Sequence, residues 1–171
     1  KVNLIGHSQG GPTIQYIEGV APHKAASLTA IAGTMQGTPV FVNASQTPLL
    51  EPFIHAIGTI LGHSMNLVTA NQYPVSIIEA LQAMNPEAIQ AFNVKYGSSA
   101  IPQNCQTQGS KLTSNGIYHY SWMGNRQATN SLDAIESTVV TLGSSFLKGE
   151  ANDGALPLYS GRYGQIIRQD Y

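Results

Sequence analysis

One serine stands between two glycines where a short apolar segment gives way to helical spacing. Val2 to Ile5 are too few for a helix and are typical of a buried strand, which we expect to end at Gly6. From Pro12 onward apolar residues recur at helical spacing, and proline is tolerated in the first turn of a helix. A G-x-S-x-G pattern with a strand before it and a helix after it is typical of a strained elbow that presents a serine hydroxyl, here that of Ser8.

This pattern makes Ser8 the predicted nucleophile. The elbow needs small residues at Gly6 and Gly10 so that strand and helix approach closely. The backbone N–H of Gln9 lies at the start of the predicted helix, where a developing oxyanion is favoured. The chain has 17 glycines, so the alternative interpretation is an ordinary glycine-rich turn.

Composition excludes several other classes of protein. The chain has 171 residues, of which 42% are hydrophobic and 10% are charged, which is typical of one folded domain with a core. The net charge is −1 and Lys and Arg do not cluster, so nothing favours nucleic-acid binding. Polar residues and a proline interrupt the apolar-rich segment from Leu49 to Val68, so we expect no membrane span. The single cysteine, Cys105, excludes an internal disulfide.

The segment after the elbow predicts an α/β fold. The helix is expected to bury Ile14, Ile17 and Val20 or Ala21, and Ser27 to Ala32 reads as a second buried strand. Strand, helix and strand together indicate a right-handed βαβ unit. The loop that follows this second strand lies at the edge where open α/β sheets bind ligands.

Three further helices are predicted. Apolar spacing from Leu49 favours an amphipathic helix that either faces the core or forms a mobile lid over residues 49–72. The other two helices cover Val75 to Met84 and Pro86 to Tyr96. Asn85 is suited to cap the last of these and Gly97 to end it.

The last part of the chain contains turns and β-forming residues. Lys111 to Met123 predicts a hairpin, with a type I′ turn at Asn115-Gly116. Thr138 to Leu142 fits a strand or a helix, and Ala151 to Gly154 predicts a turn.

A nucleophilic serine needs a base, usually a histidine that a carboxylate orients. His7 stands beside Ser8 and should point away from it, so packing is its expected role. Each of the other histidines is more often solvated or satisfied than catalytic. In α/β enzymes with such an elbow the partners follow in the order serine, Asp or Glu, histidine. No histidine follows Asp153 of the predicted turn, so the base is expected beyond Tyr171 or does not exist. The five histidines are His7, His23, His55, His63 and His119.

Four spaced motifs carry a resemblance to a known family. They are Asn3 to Pro12, Tyr120-Ser121-Trp122, Asn130 to Asp133 and Ala151 to Gly154. In this order they resemble the secreted bacterial triacylglycerol lipases of the Pseudomonas and Burkholderia type. The resemblance implies an α/β-hydrolase fold with a central, mostly parallel sheet, flanking helices and a helical lid. It also implies secretion, a lipid ester substrate at an oil–water interface, one structural Ca²⁺ and a lipase-specific foldase.

The resemblance assigns roles to four residues. Ser8 matches the nucleophile, Asp153 the acid of the triad, and the backbone N–H of Gln9 one oxyanion donor. Asp133 matches a calcium ligand, and carboxylates suit this hard cation. The alternatives are that Asp153 serves turn chemistry and that Asp133 is a solvated turn residue. The family's disulfide partner for Cys105 falls near Tyr159, so that bridge is absent.

The resemblance further implies one partial domain, residues 1–171, that is incomplete at both ends. A piece without the base and the second oxyanion donor is expected to be nearly inactive, and a central strand without its neighbours becomes an exposed edge. The alternative functions are a carboxylesterase or thioesterase on the same fold and a non-catalytic binding domain of α/β-hydrolase type.

Overall fold

A computed structural model of the chain describes residues 1–40, 42, 77–104, 107–126, 140–147 and 149–168. The lid predicted for residues 49–72 and the segment that holds Asp133 lie outside the described residues. The helices and strands are β1 (Val2–His7), α1 (Gly10–Val20), β2 (Ala25–Ile31), α2 (Ile77–Ala83), α3 (Pro86–Tyr96), β3 (Tyr118–Trp122) and β4 (Gln165–Arg168).

The four described strands form one sheet in the order β1-β2-β3-β4, and each neighbouring pair is parallel. Leu28 in β2 pairs with Leu4 on one side and with His119 on the other. The predicted parallel arrangement of β1, α1 and β2 is therefore confirmed. Because all four strands run the same way, the segments that follow them leave from one edge of the sheet.

Helix α1 packs on one side of the sheet, but the residues that it buries are not all the predicted ones. Ile14 is buried as expected, whereas Ile17 is half-buried and Val20 is exposed. Gln15 and Glu18 are buried in their place, since positions three and four residues apart share a helix face. The core beneath α1 contains Ile14, Ala25, Leu28, Ala30, Met35, Ala100, Ile117 and Tyr163.

Strand β1 is exposed, so the prediction of a buried strand is wrong for the described part of the chain. Val2 is 55% exposed and Ile5 is 69% exposed. The sheet order places β1 at one edge, where it pairs with β2. This exposure matches the expectation that β1 becomes an edge strand without further neighbours. The strand also continues past Gly6 to His7.

The two helices after residue 76 agree with their sequence signals. Helix α3 begins at Pro86, and the Asn85 side chain caps it by accepting a hydrogen bond from the N–H of Ala88 at 2.7 Å. Gly97 is the C-cap, and its N–H donates to the carbonyl of Asn93 at 2.8 Å. The sequence of Thr138 to Leu142 fits a strand or a helix. Residues 140–144 are helical, so the described part of this segment is a helix.

The predicted hairpin is only partly correct. A turn does form, since the N–H of Thr113 donates to the carbonyl of Ile117 at 3.1 Å, and an antiparallel bridge joins Leu112 to Tyr118. Gly116 has a φ of 71°, but Asn115 is not among the residues with positive φ, so the turn is not of type I′. Beyond this bridge β3 pairs in parallel with β2 and β4.

Candidate active site

Ser8 occupies a sharp turn between β1 and α1. Its φ is 54°, in the left-handed region that non-glycine residues seldom adopt. The turn is fixed on both sides, because the Ser8 N–H donates to the carbonyl of Ile31 at 3.1 Å. The Ser8 carbonyl accepts from the N–H groups of Gly11 at 3.0 Å and Thr34 at 3.2 Å. Among the described residues, the other non-glycine residue with positive φ is Ala32, directly after β2. Backbone strain is thus concentrated at this edge of the sheet, which is typical of functional sites.

Close packing around the elbow explains why two of its positions must be glycine. A Cβ on Gly6 would collide with the carbonyl of Gly10, so the strand and the helix touch there. A Cβ on Gly11 would lie 2.7 Å from Sδ of Met35. A Cβ on Gly10 meets nothing within 4 Å, so the expectation that Gly10 must be small for close packing is wrong. The close approach of β1 and α1 therefore requires glycine at positions 6 and 11. Gly10 takes part through its backbone carbonyl, which Gly6 contacts.

Gln9 is the N-cap of α1. Its backbone is helical, with φ −58° and ψ −21°, and its side chain makes no capping hydrogen bond. The Gln9 carbonyl accepts from the N–H of Thr13 at 3.3 Å and from its hydroxyl at 3.1 Å. Gln9 therefore lies at the positive end of the helix dipole, immediately after Ser8.

Asp153 lies in a tight turn between two bridged residues, Asn152 and Pro157. Its Oδ1 accepts hydrogen bonds from the N–H groups of Ala155 at 3.0 Å and Leu156 at 2.8 Å. Burial raises the pKa of the Asp153 carboxyl, while these two hydrogen bonds and the charge of His7 act in the opposite direction. The Asp153 side chain therefore stabilises the turn by accepting backbone hydrogen bonds, as the simpler interpretation expects. It is also a partly desolvated carboxylate near His7.

The loop after β2 connects the elbow to the turn of Asp153. The Thr34 N–H donates to the Ser8 carbonyl, and four residues later the hydroxyl of Thr38 donates to the carbonyl of Ala155 at 2.7 Å. Between them, the Gln36 amide donates to the carbonyl of Tyr159 at 2.7 Å. The sequence places this loop at the ligand-binding edge of the sheet, and in the structure its hydrogen bonds join the segment that follows β1 to the segment that follows β3.

The three described histidines differ in their surroundings. His7 is exposed at the end of β1, so the packing role expected for it is wrong. His23 is exposed in the 3-10 turn Pro22–Lys24, which lies between α1 and β2. His119 is fully buried, and its Nε2 lies 2.9 Å from Oε2 of Glu18. His119 is thus a core histidine paired with a carboxylate through Nε2, while its Nδ1 has no hydrogen-bond partner. His55 and His63 lie outside the described residues.

Sequence reasoning missed Glu18. Its Oε2 accepts a second hydrogen bond, from the hydroxyl of Tyr163 at 3.0 Å, and only 3% of Glu18 is exposed. Burial, with a further contribution from Glu18, raises the pKa of Tyr163 well above its ordinary value. A signal was present, because Glu18 follows Ile14 by four residues and so lies on the same helix face.

The calcium prediction stays a prediction. Asp133 lies outside the described residues. Within the described ranges no group of three or more His, Cys, Asp or Glu side chains is placed to hold a metal ion. Nor does any helix in those ranges have the length and apolar character needed to cross a membrane.

Known proteins resemble this chain in both sequence and structure. No family model matches it. A triacylglycerol lipase of Vibrio cholerae is 33% identical over the whole chain, which covers 55% of that protein. A triacylglycerol lipase of Pseudomonas fragi is 29% identical, and the chain covers 62% of it. One of Burkholderia plantarii is 27% identical, with 56% covered. The resemblance predicted from the sequence motifs is confirmed, and the chain spans a little over half the length of these relatives.

Two solved structures share the fold. The mature lipase BlEst2 of Bacillus licheniformis superposes with a TM-score of 0.62 at 14% identity, covering 99% of this chain and 57% of that one. The metagenomic carboxyl esterase MGS0156 superposes with a TM-score of 0.57 at 16% identity, covering 99% of this chain and 43% of that one. The predicted α/β-hydrolase fold is confirmed by these matches and by the parallel sheet with flanking helices.

Proposed function

We propose that Ser8 is the nucleophile of a serine hydrolase that cleaves triacylglycerol esters, in a protein of the same length as the relatives. One observation carries the proposal: Ser8 lies in the left-handed region, between a parallel strand and a helix, within a sequence similar to triacylglycerol lipases. A strained elbow exposes the hydroxyl and brings it next to the helix N-terminus. An ordinary glycine-rich turn would have a glycine at the strained position.

The reaction proceeds through an acyl-enzyme. The Ser8 Oγ attacks the ester carbonyl carbon, a base takes the hydroxyl proton, and the tetrahedral intermediate expels the alcohol, which receives that proton. Water then attacks the acyl carbonyl carbon, the bond to Ser8 Oγ breaks, and one proton of the water passes through the base to Ser8 Oγ as the carboxylic acid leaves. The Gln9 N–H, at the positive end of α1, stabilises the oxyanion in both halves of the reaction.

The base is a histidine that Asp153 orients. We propose that it comes from the segment after β4, because β4 ends at Arg168 on the sheet edge that also holds Ser8 and the turn of Asp153. The second oxyanion donor comes from a loop before β1. The 171 residues alone therefore lack two parts of the machinery and are expected to be nearly inactive.

Three further features rest on the resemblance alone. They are a Ca²⁺ ion bound in part by Asp133, secretion, and folding assisted by a lipase-specific foldase. The calcium proposal predicts that a chelator lowers the thermal midpoint of the protein. It also predicts that Asp133→Ala removes this response.

A carboxylesterase is the second candidate, favoured by the likeness to the carboxyl esterase MGS0156. The two activities differ in acyl-chain preference and in response to an interface. A lipase hydrolyses long-chain emulsions faster than dissolved short-chain esters, whereas an esterase prefers the dissolved ester. A non-catalytic domain hydrolyses neither, and a parent sequence with no histidine after β4 would support it.

The test is labelling by a fluorophosphonate, which reacts with activated serines. We expect slow labelling of the 171-residue chain, fast labelling of a protein of the relatives' length, and none of Ser8→Ala. The missing base should account for a difference of several powers of ten in rate. Rapid stoichiometric labelling of the 171-residue chain would refute the proposal that the base lies outside it. Unchanged labelling of Ser8→Ala would refute Ser8 as the nucleophile.

A further inference from the structure

A cavity of about 730 Å³ opens beside helix α3, in the size range of small-molecule sites. Polar side chains from three separate segments line it. Gln90 and Asn93 come from α3, Ser98 and Gln103 from the loop after it, and Gln36 and Tyr159 from the loops that follow β2 and Asp153. None of the residues that line it carries a charged side chain.

Partly buried hydrogen bonds fix one polar group of the cavity wall, Asn93. The Gln15 amide donates to Oδ1 of Asn93 at 2.8 Å, and Nδ2 of Asn93 donates to the carbonyl of Met35 at 2.8 Å. Asn93 is thus held in one orientation, with the second lone pair of Oδ1 still able to accept. Behind it, Gln15 is fully buried and its Oε1 has no hydrogen-bond partner.

A second polar group of the wall, Ser98, accepts a hydrogen bond from the N–H of Ala100 at 3.3 Å. It also lies near the Tyr163 hydroxyl, which donates to Glu18, and Glu18 in turn holds His119. Asn93 is therefore held by its bonds to Gln15 and Met35, and Ser98 by its bond to Ala100. A wall pre-organised in this way loses little conformational entropy when a ligand binds.

We propose that this cavity binds a neutral saccharide of about two sugar rings. Amide side chains offer both donors and acceptors, which match the hydroxyl groups of a sugar. The proline, isoleucine and tyrosine residues of the wall supply apolar surface for the C–H faces of the rings. The wall offers no charged side chain to pair with a charged ligand, so a neutral ligand fits it better. A single small polyol such as glycerol would leave most of the volume empty.

The site lies against the candidate active edge but does not depend on it. The Gln36 amide donates to the carbonyl of Tyr159, so the wall of the cavity joins the loops that also support Ser8 and Asp153. None of the groups proposed to contact the saccharide takes part in ester hydrolysis. Saccharide binding can therefore be tested in Ser8→Ala, where no reaction occurs.

The experiment is an amide NMR titration of the protein with maltose, glycerol and glucose 6-phosphate. We expect maltose to shift resonances of α3 and of residues 97–103, with a Kd of about 1 mM. The Gln90→Ala, Gln103→Ala double variant removes two amides and should raise that Kd about tenfold. Gln82→Ala, an exposed glutamine on α2 outside the cavity wall, is the matched control and should leave it unchanged.

Several outcomes would overturn the inference. The absence of maltose shifts at these positions would show that the cavity holds solvent only. An unchanged Kd in the double variant would show that maltose binds elsewhere or without the amides of this wall, which refutes the proposed site. Glucose 6-phosphate binding more tightly than maltose would exclude a neutral ligand class. Glycerol binding as tightly as maltose would exclude the proposed size. Binding to Ser8→Ala equal to that of the native protein supports the site independently of any esterase activity.

Discussion

Ser8 has a backbone conformation that costs free energy for any residue with a Cβ, of the order of 1 kcal/mol. Ser8→Gly should therefore raise the free energy of unfolding by up to about 1 kcal/mol, since glycine adopts this conformation without strain. Ser8→Ala keeps the Cβ and should stay near the native value. Urea denaturation of the three proteins measures the difference. A glycine variant less stable than the alanine variant would show that the elbow stores no strain.

Asp153 makes a prediction about pH. Its carboxyl pKa is raised from 3.8 by burial, so the folded state binds the proton more tightly than the unfolded state. The stabilisation from this group is then greatest below pH 3.8 and is lost as pH rises through the raised pKa. Asp153→Asn keeps an oxygen acceptor for the N–H groups of Ala155 and Leu156 and carries no charge.

The Tm of Asp153→Asn minus that of the native protein should therefore increase as pH is raised above 3.8. Thermal unfolding across a pH series measures it. A difference that does not change with pH, or one that decreases, would contradict the assigned cause. In a protein of the relatives' length the same substitution should also reduce ester hydrolysis strongly, because a histidine without its carboxylate is poorly oriented.

Residue-scale prediction from the sequence succeeded where the signal was local. Ser8 stands in a motif whose strained geometry the structure reproduces, and Asn152-Asp153-Gly154 is turn chemistry that the structure also contains. Glu18 and His119 are distant in sequence, and neither residue type predicts burial. Their pairing depends on how α1 and β3 pack, which no local pattern determines.

At the scale of elements, Gly6 and Gly10 offer a matched pair of substitutions. Gly6→Ala places a Cβ into the carbonyl of Gly10 and forces β1 and α1 apart, which should cost about 1–3 kcal/mol. Gly10→Ala meets open space and should be neutral or slightly stabilising, because alanine favours a helix over glycine. Chemical denaturation of both variants measures the contrast. Equal losses in the two would show that the close approach at the elbow is wrong.

Helix boundaries were predictable from the sequence and strand partners were not. Asn85, Pro86 and Gly97 mark the ends of α3 through local hydrogen bonds and proline geometry, and the structure agrees with all three. The strand β3 was expected to pair with residues just before it, because the Asn115-Gly116 turn suggests a hairpin. It pairs instead with β2 and β4, since a parallel partner is set by tertiary packing rather than by the nearest turn.

At the scale of the whole molecule, a buried polar cluster joins parts of the chain that are far apart in sequence. Glu18 comes from α1, His119 from β3 and Tyr163 from the segment just before β4. Oε1 of Glu18 and Nδ1 of His119 have no hydrogen-bond partner although both residues are buried. Removing one member leaves the others desolvated and unpaired, which costs more than removing all three together.

This asymmetry gives the last prediction. Glu18→Leu alone should lower the free energy of unfolding by about 3–5 kcal/mol, because it strands His119 and the Tyr163 hydroxyl in the core. Adding His119→Phe and Tyr163→Phe to it removes the stranded groups and should recover most of that loss, since apolar side chains of similar volume need no partners. Guanidinium denaturation of the single and triple variants measures the recovery. Losses that add across the three positions would mean that each side chain contributes independently. The cluster would then not be the coupled unit that holds α1, β3 and the approach to β4 in one arrangement.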